Sequence, residues 1–422
     1  MNPATLNPAR LNLTTDTSRQ NEPGLDGLRG IAALLVFVYH LRWIAGEPRL
    51  FFAGIDWQLV AKRLDIGVCL FFILSGYLLS KPFWVGVSTG RWPDLSRYAV
   101  RRFARIIPAY WLVLWMIAAL SPSTYTMWGM VAFGLQLVGL HTFADYTYLG
   151  CVPVLWSIGT EMQYYALLPL LFLLANWIGR RKVWLTALAL ALIIALIDPA
   201  WRFIAVQLAP HLPGHIIPDT QSRVISDSVF YFLKWFGAGI AAQAARLFLP
   251  LLNNFSRIQW DLVFVLGIVA FATVVAYSSE GQWRSISRWG WPMSAIASAL
   301  LVIASPGSHF GMWLDSPPLR ILGNISYGIY LWHWPVLTAV FGGTLPDRLG
   351  PGLAFFVCGA ITLAFTCLIA WLSHLSLERP VIAWAKRQTG AGEALRQILV
   401  FIGLRKAAVQ AGDKEAAFRA SH

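Results

Sequence analysis

Charged side chains are scarce in this chain of 422 residues, of which only 13% are Asp, Glu, Lys or Arg. Soluble domains carry about 25% of such residues, so this scarcity excludes an ordinary soluble protein. Hydrophobic residues make up 57% of the sequence. Many of its 21 tryptophans flank apolar runs, as in the aromatic belts of membrane proteins. The composition therefore predicts an integral membrane protein.

Cysteine is also rare, with only Cys69, Cys151, Cys358 and Cys367. They lie in or beside apolar segments without CxxC spacing, so they indicate neither a metal site nor a disulfide framework. The formal net charge of +13 is typical of a multispanning protein whose cytoplasmic loops collect Lys and Arg. We therefore expect the lipid bilayer as a partner, no nucleic acid and no metal.

The chain begins without the apolar stretch of a cleaved signal peptide. Residues 1–23 are polar and contain three prolines, which predicts a disordered cytoplasmic segment followed by a retained signal anchor. Residues 383–422 are mixed polar and basic, as expected of a cytoplasmic tail. Between them, residues 24–382 are predicted to form one membrane domain, without an appended soluble domain, a long linker or an obvious repeat.

Eleven apolar segments follow one another, at residues 28–46, 66–82, 106–121, 127–141, 160–178, 183–198, 228–246, 260–277, 291–305, 325–342 and 352–374. Basic clusters at 91–105 and 179–182 belong in the cytoplasm, which requires an even number of crossings between them. Three segments lie between these clusters, and 127–141 is the shortest and richest in glycine. We predict an all-α bundle of about ten transmembrane helices plus one short re-entrant or peripheral segment. Both termini then lie in the cytoplasm of a bacterial inner membrane.

Arg29 and His40 bracket an otherwise apolar run in GLDGLRGIAALLVFVYHL (residues 24–41). At about 100° per residue, eleven positions place both side chains on one face of a helix, about 16 Å apart along its axis. Asp26 is spaced to contact Arg29 in the i,i+3 arrangement. A titratable imidazole at membrane depth is costly and usually functional. A histidine that only packs between helices is the alternative for His40, and an arginine that only snorkels is the alternative for Arg29.

A cluster of arginines lies in RYAVRRFARIIPAYWL (residues 97–112), where Arg97, Arg101, Arg102 and Arg105 share a helical face. Guanidinium groups bind phosphates through two parallel hydrogen bonds. The cluster therefore predicts a site for a phosphate-rich donor. The same arginines would equally serve to set the topology of the chain.

Glu161 begins an apolar segment in LWSIGTEMQYYALLPLL (residues 155–171), next to Trp156 and Tyr164, which are predicted to line the substrate path. A carboxylate within a membrane needs a partner, so Glu161 is predicted to orient an imidazole, pair with an arginine or bind a sugar hydroxyl. An interfacial glutamate in water is the alternative.

Other polar groups fall within apolar segments. GNISYGIYLWHWPV (residues 323–336) places Tyr330 and His333 among aromatics, where they could line a substrate path or simply pack. Ser75 and Gly76 in FFILSGY favour close helix packing. Ser75 is predicted to line the same path, because no base at a defined spacing supports a role as nucleophile.

Together, these motifs resemble acyltransferase family 3, whose members O-acylate surface glycans and some secondary metabolites. The resemblance runs from about residue 24 to residue 382, and it is carried by GLDGLRGIAALLVFVYH, FFILSGYLL, RRFARIIPAYW, LWSIGTEMQYYALLPLL, ISYGIYLWHWPV and LERP. The family's signature of an arginine, ten residues and a histidine falls on Arg29 and His40. Its further charged positions fall on Arg101, Arg102, Arg105 and Glu161.

The resemblance implies transfer of an acyl group, usually acetyl from acetyl-CoA, onto a hydroxyl of a glycan or small molecule. We expect acyl-CoA as co-substrate, no bound cofactor, and His40 as the general base with Arg29 and Glu161 beside it. Direct transfer and a transient acyl-histidine would use the same residues. A proton-coupled transporter of a lipid-linked glycan or small solute is the alternative from a different class.

Overall fold

The computed structural model describes residues 22–48, 51–52, 55–208, 211, 224, 227–279 and 283–388. Each of the eleven apolar segments forms a helix, and we number these helices in chain order. They are α1 (Leu25–Ile44), α2 (Ile66–Thr89), α3 (Leu95–Leu120), α4 (Met127–Leu137), α5 (Trp156–Ile178), α6 (Val183–Leu208), α7 (Val229–Phe248), α8 (Arg257–Ser279), α9 (Trp283–Ala304), α10 (Pro317–Phe341) and α11 (Pro351–Ser373).

Short elements connect these helices. The extended residues Phe51–Phe52 and Ile55–Asp56 pair antiparallel, with Phe51 opposite Asp56. The other short helical elements are Trp57–Ala61, Pro122–Tyr125, His141–Phe143, Asp145–Thr147, Pro153–Leu155, Pro250–Asn253, Ser305–Gly307, His309–Leu314, Leu345–Leu349 and Arg379–Arg387. A π-helical turn, His374–Glu378, follows α11. The described part of the chain is therefore almost entirely helical, as predicted.

Seven helical stretches of the described chain are long and apolar enough to cross a bilayer. They are Leu25–Ile44, Trp57–Thr89, Leu95–Leu120, Pro153–Ile178, Val183–Leu208, Arg257–Ala276 and Pro351–Arg387. The predicted count of about ten is not confirmed, because α7, α9 and α10 are not among these seven stretches. The short segment of the prediction is the eleven-residue helix α4. The predicted termini lie largely outside the described residues.

The helices differ in how much of their surface the protein covers. Helix α1 packs on α10 and α2, α2 packs on α7, and α10 packs on α11, whereas α8 and α9 pack on each other. In α6 only 17% of the most apolar window is buried inside the protein, against 78% in the stretch that contains α2. Exposed apolar surface of this extent on a membrane-length helix fits contact with lipid. Helix α2 therefore belongs to the interior of the bundle.

Helices α2 and α7 approach each other at two glycines. A Cβ atom on Gly76 would collide with the backbone oxygen of Phe236, and one on Gly239 would collide with the backbone oxygen of Ile73. Small residues allow such close packing of membrane helices. The packing role predicted for the Ser75–Gly76 pair is confirmed at Gly76, and this contact fixes the level of Ser75 within the bundle.

Candidate active site

A cavity lies between helices α1, α2, α3, α5 and α10. Its polar lining residues are Arg29, Ser75, Arg105, Ser157, Glu161, Tyr165, Ser326, Tyr327 and Tyr330, and its apolar ones are Val68, Phe71, Phe72, Ile106 and Ile158. The lining carries two guanidinium groups and one carboxylate. It therefore combines a positive excess, suited to an anionic ligand, with an apolar wall suited to a hydrocarbon chain.

Glu161 is the hydrogen-bonding centre of this cavity. Its Oε1 accepts one hydrogen bond from the Ser75 hydroxyl, at 2.6 Å, and another from the Tyr165 hydroxyl, at 2.7 Å. Tyr165 follows Glu161 by one helical turn, whereas Ser75 comes from α2. Short hydrogen bonds to a carboxylate are about twice as strong as those between neutral groups. These bonds hold the Glu161 side chain against the cavity wall.

The four predicted donor-binding arginines are carried by α3. This helix begins at the cap residue Asp94, whose carboxylate accepts hydrogen bonds from the backbone N–H groups of Ser96 and Arg97. These bonds lower the pKa of Asp94 below its ordinary value. An ionised cap satisfies the free N–H groups of the first turn and complements the helix dipole. The polar first turns of α3 are therefore stable as a helix, although they are not apolar.

Only one of these arginines lines the cavity. Arg105 does so, whereas the guanidinium group of Arg102 lies over the ring of Tyr165, at 5.8 Å from its centroid. Arg97 lies 4.0 Å from the Asp94 carboxylate. Arg97 and Arg101, like Arg102, are absent from the cavity lining. The cluster thus forms a row that approaches the cavity along one helix and ends inside it at Arg105.

Arg29 enters the cavity from α1. The Asp26 carboxylate lies 3.7 Å from its guanidinium group, in the i,i+3 contact predicted from the sequence. Asp26 and Arg29 both lie within the first five residues of α1, where an acidic residue also complements the helix dipole. The contact orients Arg29 toward the cavity that contains Glu161.

His40 lies outside this cavity, further along α1. Its side chain is buried, with 9% of the residue exposed, and its ring contacts those of Tyr39, His333 and Trp334. The Nδ1 atom of His40 lies 3.1 Å from the Nε2 atom of His333 on α10. The arrangement joins two imidazoles that are 293 residues apart in the sequence.

Tyr330 connects the cavity with the histidine pair. Its side chain lines the cavity, and its hydroxyl contacts that of Ser157 and donates to the backbone oxygen of Val154 at 2.9 Å. Its ring lies 5.6 Å, centroid to centroid, from the ring of His333. Arg29 and Glu161 are thus brought together in one cavity, while His40 lies behind Tyr330 and His333.

Three residues predicted to line the substrate path are absent from the lining of the cavity. Trp156 packs in an aromatic cluster against Phe232, and Tyr164 is fully buried and stacks on Phe236 at 3.7 Å. His333 contacts His40 instead. Side-chain packing between α5 and α7 explains the first two positions.

Several lining residues received no role from the sequence. Tyr165 and Ser157 lie on the same face of α5 as Glu161, and Ser326 and Tyr327 precede Tyr330 by one turn on α10. Helical spacing from the singled-out residues would have found all four. A fifth residue, Glu378, lies in the π-helical turn, is 2% exposed and interacts electrostatically with Arg105. Only the presence of LERP at the end of the motif set pointed to it.

Within the described residues, no group of three or more His, Cys, Asp or Glu side chains is arranged to hold a metal ion. The cavity contains two arginines and one carboxylate, and it lies beside the buried imidazole pair. These elements define a helical membrane protein with a positively charged cavity beside a buried imidazole pair.

The family of the chain follows from comparison with known proteins. The profile of the acyltransferase family 3, described as an acyltransferase domain, matches residues 22–371. The chain therefore belongs to this family, which confirms the resemblance recognised in its motifs. The match favours acyl transfer over the transporter alternative.

Two relatives have named activities. The peptidoglycan O-acetyltransferase OatA of Listeria monocytogenes is 26% identical over 386 residues, which cover 87% of this chain and 57% of the relative. The O-acetyltransferase OatA of Staphylococcus aureus is 25% identical over 419 residues, which cover 90% of this chain and 61% of the relative. This chain thus spans little more than half the length of these relatives. No solved structure matches it significantly.

Proposed function

We propose that the protein is a membrane O-acetyltransferase that moves an acetyl group from acetyl-CoA to a hydroxyl of a cell-surface glycan. The family match over residues 22–371 carries this proposal. The acceptor class is proposed from the relatives, one of which is named for peptidoglycan and the other for O-acetyl transfer. The bacterial inner membrane is the proposed location, with the basic clusters on its cytoplasmic side.

The donor is proposed to bind along α3. The phosphates of the CoA would contact Arg97, Arg101 and Arg102, and the acyl-carrying arm would extend past Arg105 into the cavity. Arginine suits this role because its planar group binds phosphate oxygens in pairs. The apolar side chains of Val68, Phe71 and Phe72 would contact the arm, which carries little charge.

His40 is proposed to act as the general base. It would take the proton of the acceptor hydroxyl as that oxygen forms a bond to the thioester carbonyl carbon. The carbon–sulfur bond then breaks, and the CoA thiolate leaves and receives a proton from His40. A base of this kind contributes about 10²–10⁴ in rate. The acyl group must pass Tyr330 to reach His40, so movement of this side chain is part of the proposal.

The test compares surface glycans from a host without O-acetylation that expresses wild type, His40→Ala or His309→Ala. His309 is an exposed histidine that pairs with Asp261 and does not line the cavity, and it serves as the matched control. We expect mass spectrometry to detect an acetyl increment with wild type and His309→Ala, and at most about one hundredth of it with His40→Ala. Immunoblots of membrane fractions would establish equal insertion.

Two results would contradict the proposal in different ways. Full acetylation with His40→Ala would remove His40 as the base but leave acetyl transfer in place. Purified wild type that releases no CoA from acetyl-CoA in the presence of glycan fragments would contradict the O-acetyltransferase activity itself.

A further inference from the structure

The two buried imidazoles of His40 and His333 each face the backbone. The Nδ1 atom of His40 lies 3.0 Å from the carbonyl oxygen of Val36. The Nδ1 atom of His333 lies 2.7 Å from the carbonyl oxygen of Tyr330 and 3.2 Å from that of Ile329. Each carbonyl belongs to the helical turn that precedes the histidine, so helix geometry fixes both rings.

These contacts determine which ring nitrogens carry a proton. A carbonyl oxygen can only accept a hydrogen bond, so a nitrogen that faces one must carry the hydrogen. Both Nδ1 atoms are therefore donors, and in the neutral rings both Nε2 atoms have a free lone pair. The His333 Nε2 lone pair then accepts from the Nδ1–H group of His40 across 3.1 Å. That hydrogen is shared between Val36 and His333.

We propose that His333 is a positioning residue for the base His40. By occupying the Nδ1–H group, it fixes the tautomer in which the Nε2 atom of His40 is the basic nitrogen. When Nε2 takes a proton from the acceptor hydroxyl, the charge spreads to Nδ1–H, and the lone pair of His333 stabilises it. This inference rests on the proposed role of His40 as the base. It adds that Nε2 is the reacting atom of His40 and that His333 selects this atom.

Positive and negative groups occur in equal number near Tyr39, which adjoins the histidine pair. Tyr39, next to His40 on α1, interacts electrostatically with two cations and two carboxylates, which are Arg42, Arg63, Glu47 and Asp65. Arg42 pairs with Glu47 at 2.6 Å, and Arg63 lies 3.7 Å from Asp65. From α10 the neighbours of His40 are the neutral rings of His333 and Trp334. Among the described groups, His333 is thus the side chain that accepts a hydrogen bond from the ring of His40.

The kinetic test compares His333→Leu with His333→Gln in purified protein, with acetyl-CoA as donor and glycan fragments as acceptor. Leucine removes the acceptor, whereas the amide oxygen of glutamine replaces it. We expect His333→Leu to lower kcat about ten- to hundredfold, the effect of one hydrogen bond to a charged group. The KM for acetyl-CoA should stay within about twofold, and His333→Gln should restore kcat to within about fivefold of wild type. His309→Leu is the matched control.

A second measurement does not depend on the folding of any variant at position 333. Nitrogen-15 NMR of histidine-labelled wild type, with His40 assigned by its loss in His40→Ala, reports the tautomer directly. We expect a protonated Nδ1 and an unprotonated Nε2 on His40. The opposite tautomer would overturn the proposal.

The kinetic outcomes separate this inference from the function on which it rests. Loss of activity in His40→Ala together with wild-type kcat in a folded His333→Leu protein would overturn the role of His333 alone. An increase in KM without a change in kcat would also overturn it, because His333 would then contact a substrate. Full activity of His40→Ala would overturn both the base and its positioning residue.

Discussion

The hydroxyl of Ser75 donates a 2.6 Å hydrogen bond to the carboxylate of Glu161, and thereby joins helices α2 and α5 at the wall of the cavity. Tyr165 donates to the same oxygen, Oε1, so Oε2 has no hydrogen-bond donor among the described residues. A carboxylate with two donors on one oxygen is held in place while the other oxygen stays available. In the proposed reaction that oxygen would bind a polar group of the donor or the acceptor.

The first prediction concerns this carboxylate. Glu161→Gln preserves the size of the side chain but removes its charge, so the bonds from Ser75 and Tyr165 lose their charge-assisted strength. We expect acetyl transfer by purified protein to fall about tenfold or more. Asp347, exposed in the short helix Leu345–Leu349, provides a control in Asp347→Asn, which should stay within about twofold of wild type. Equal rates in both variants would exclude a functional role for the charge of Glu161.

The second prediction concerns Arg105 and Glu378. Glu378 is almost completely buried in the π-helical turn, where the Ser373 hydroxyl and the His374 ring lie 3.5 and 3.6 Å from its carboxylate. Glu378 interacts electrostatically with Arg105, which lines the cavity. Removing a buried charge that interacts with an opposite one destabilises a protein by about 0.5–3 kcal/mol. We expect Glu378→Gln and Arg105→Gln each to lower the thermal unfolding midpoint clearly.

A double-mutant cycle tests whether these two effects have one origin. The free energy of unfolding of the double variant should exceed the value expected from adding the two single losses by about 1 kcal/mol or more. The reason is that neither charge is then left without its partner. Strict additivity of the two losses would show that Glu378 and Arg105 act independently. π-Helical turns are frequent at functional sites, so acetyl transfer should be measured on the same variants.

The third prediction uses the contact between α2 and α7. The methyl group of Gly76→Ala would meet the backbone of Phe236, which cannot move aside without separating the helices. Overpacking of this kind costs about 1–3 kcal/mol, so we expect a lower unfolding midpoint and weaker acetyl transfer, since Ser75 shifts with its neighbour. Gly134 on α4 has open space around it. Gly134→Ala should be neutral or stabilise by up to about 1 kcal/mol.

The sequence predicted the helices better than the contacts between them. Hydropathy located all eleven helices, and spacing predicted the contact between Asp26 and Arg29, because both depend on neighbours along the chain. The apolar segment of α3 begins at residue 106, whereas the helix begins at Leu95, since the cap at Asp94 stabilises the polar turns that carry the arginines.

Contacts between distant segments could not be predicted in the same way. The pairing of His40 with His333 depends on how α1 packs on α10, and the bond from Ser75 to Glu161 depends on close packing around α2. No local pattern encodes either arrangement. Both histidines, Ser75 and Glu161 nevertheless stand out in the sequence as polar groups in apolar segments, where they need partners.

The last prediction concerns His141, which lies in the short helical turn between α4 and α5, outside the membrane-spanning helices. The side chain is fully buried, and a Cβ on Gly159 would come within 2.6 Å of its ring. Burial lowers the pKa of His141 from its ordinary 6.5 to about 4, because the apolar surroundings disfavour the charged ring. The folded protein therefore binds this proton less readily than the unfolded chain does.

The sign of the effect on stability follows from this difference. Above pH 6.5 the His141 ring is neutral in both the folded protein and the unfolded chain, so its titration does not reduce the free energy of unfolding. Between pH 6.5 and about 4 the unfolded chain binds a proton that the folded protein does not, so stability falls with falling pH, by up to about 3 kcal/mol. His141→Gln removes this titration. Its unfolding midpoint should therefore decline less than that of wild type between pH 8 and pH 5, whatever its value at pH 8, and parallel declines would contradict a buried neutral histidine at this position.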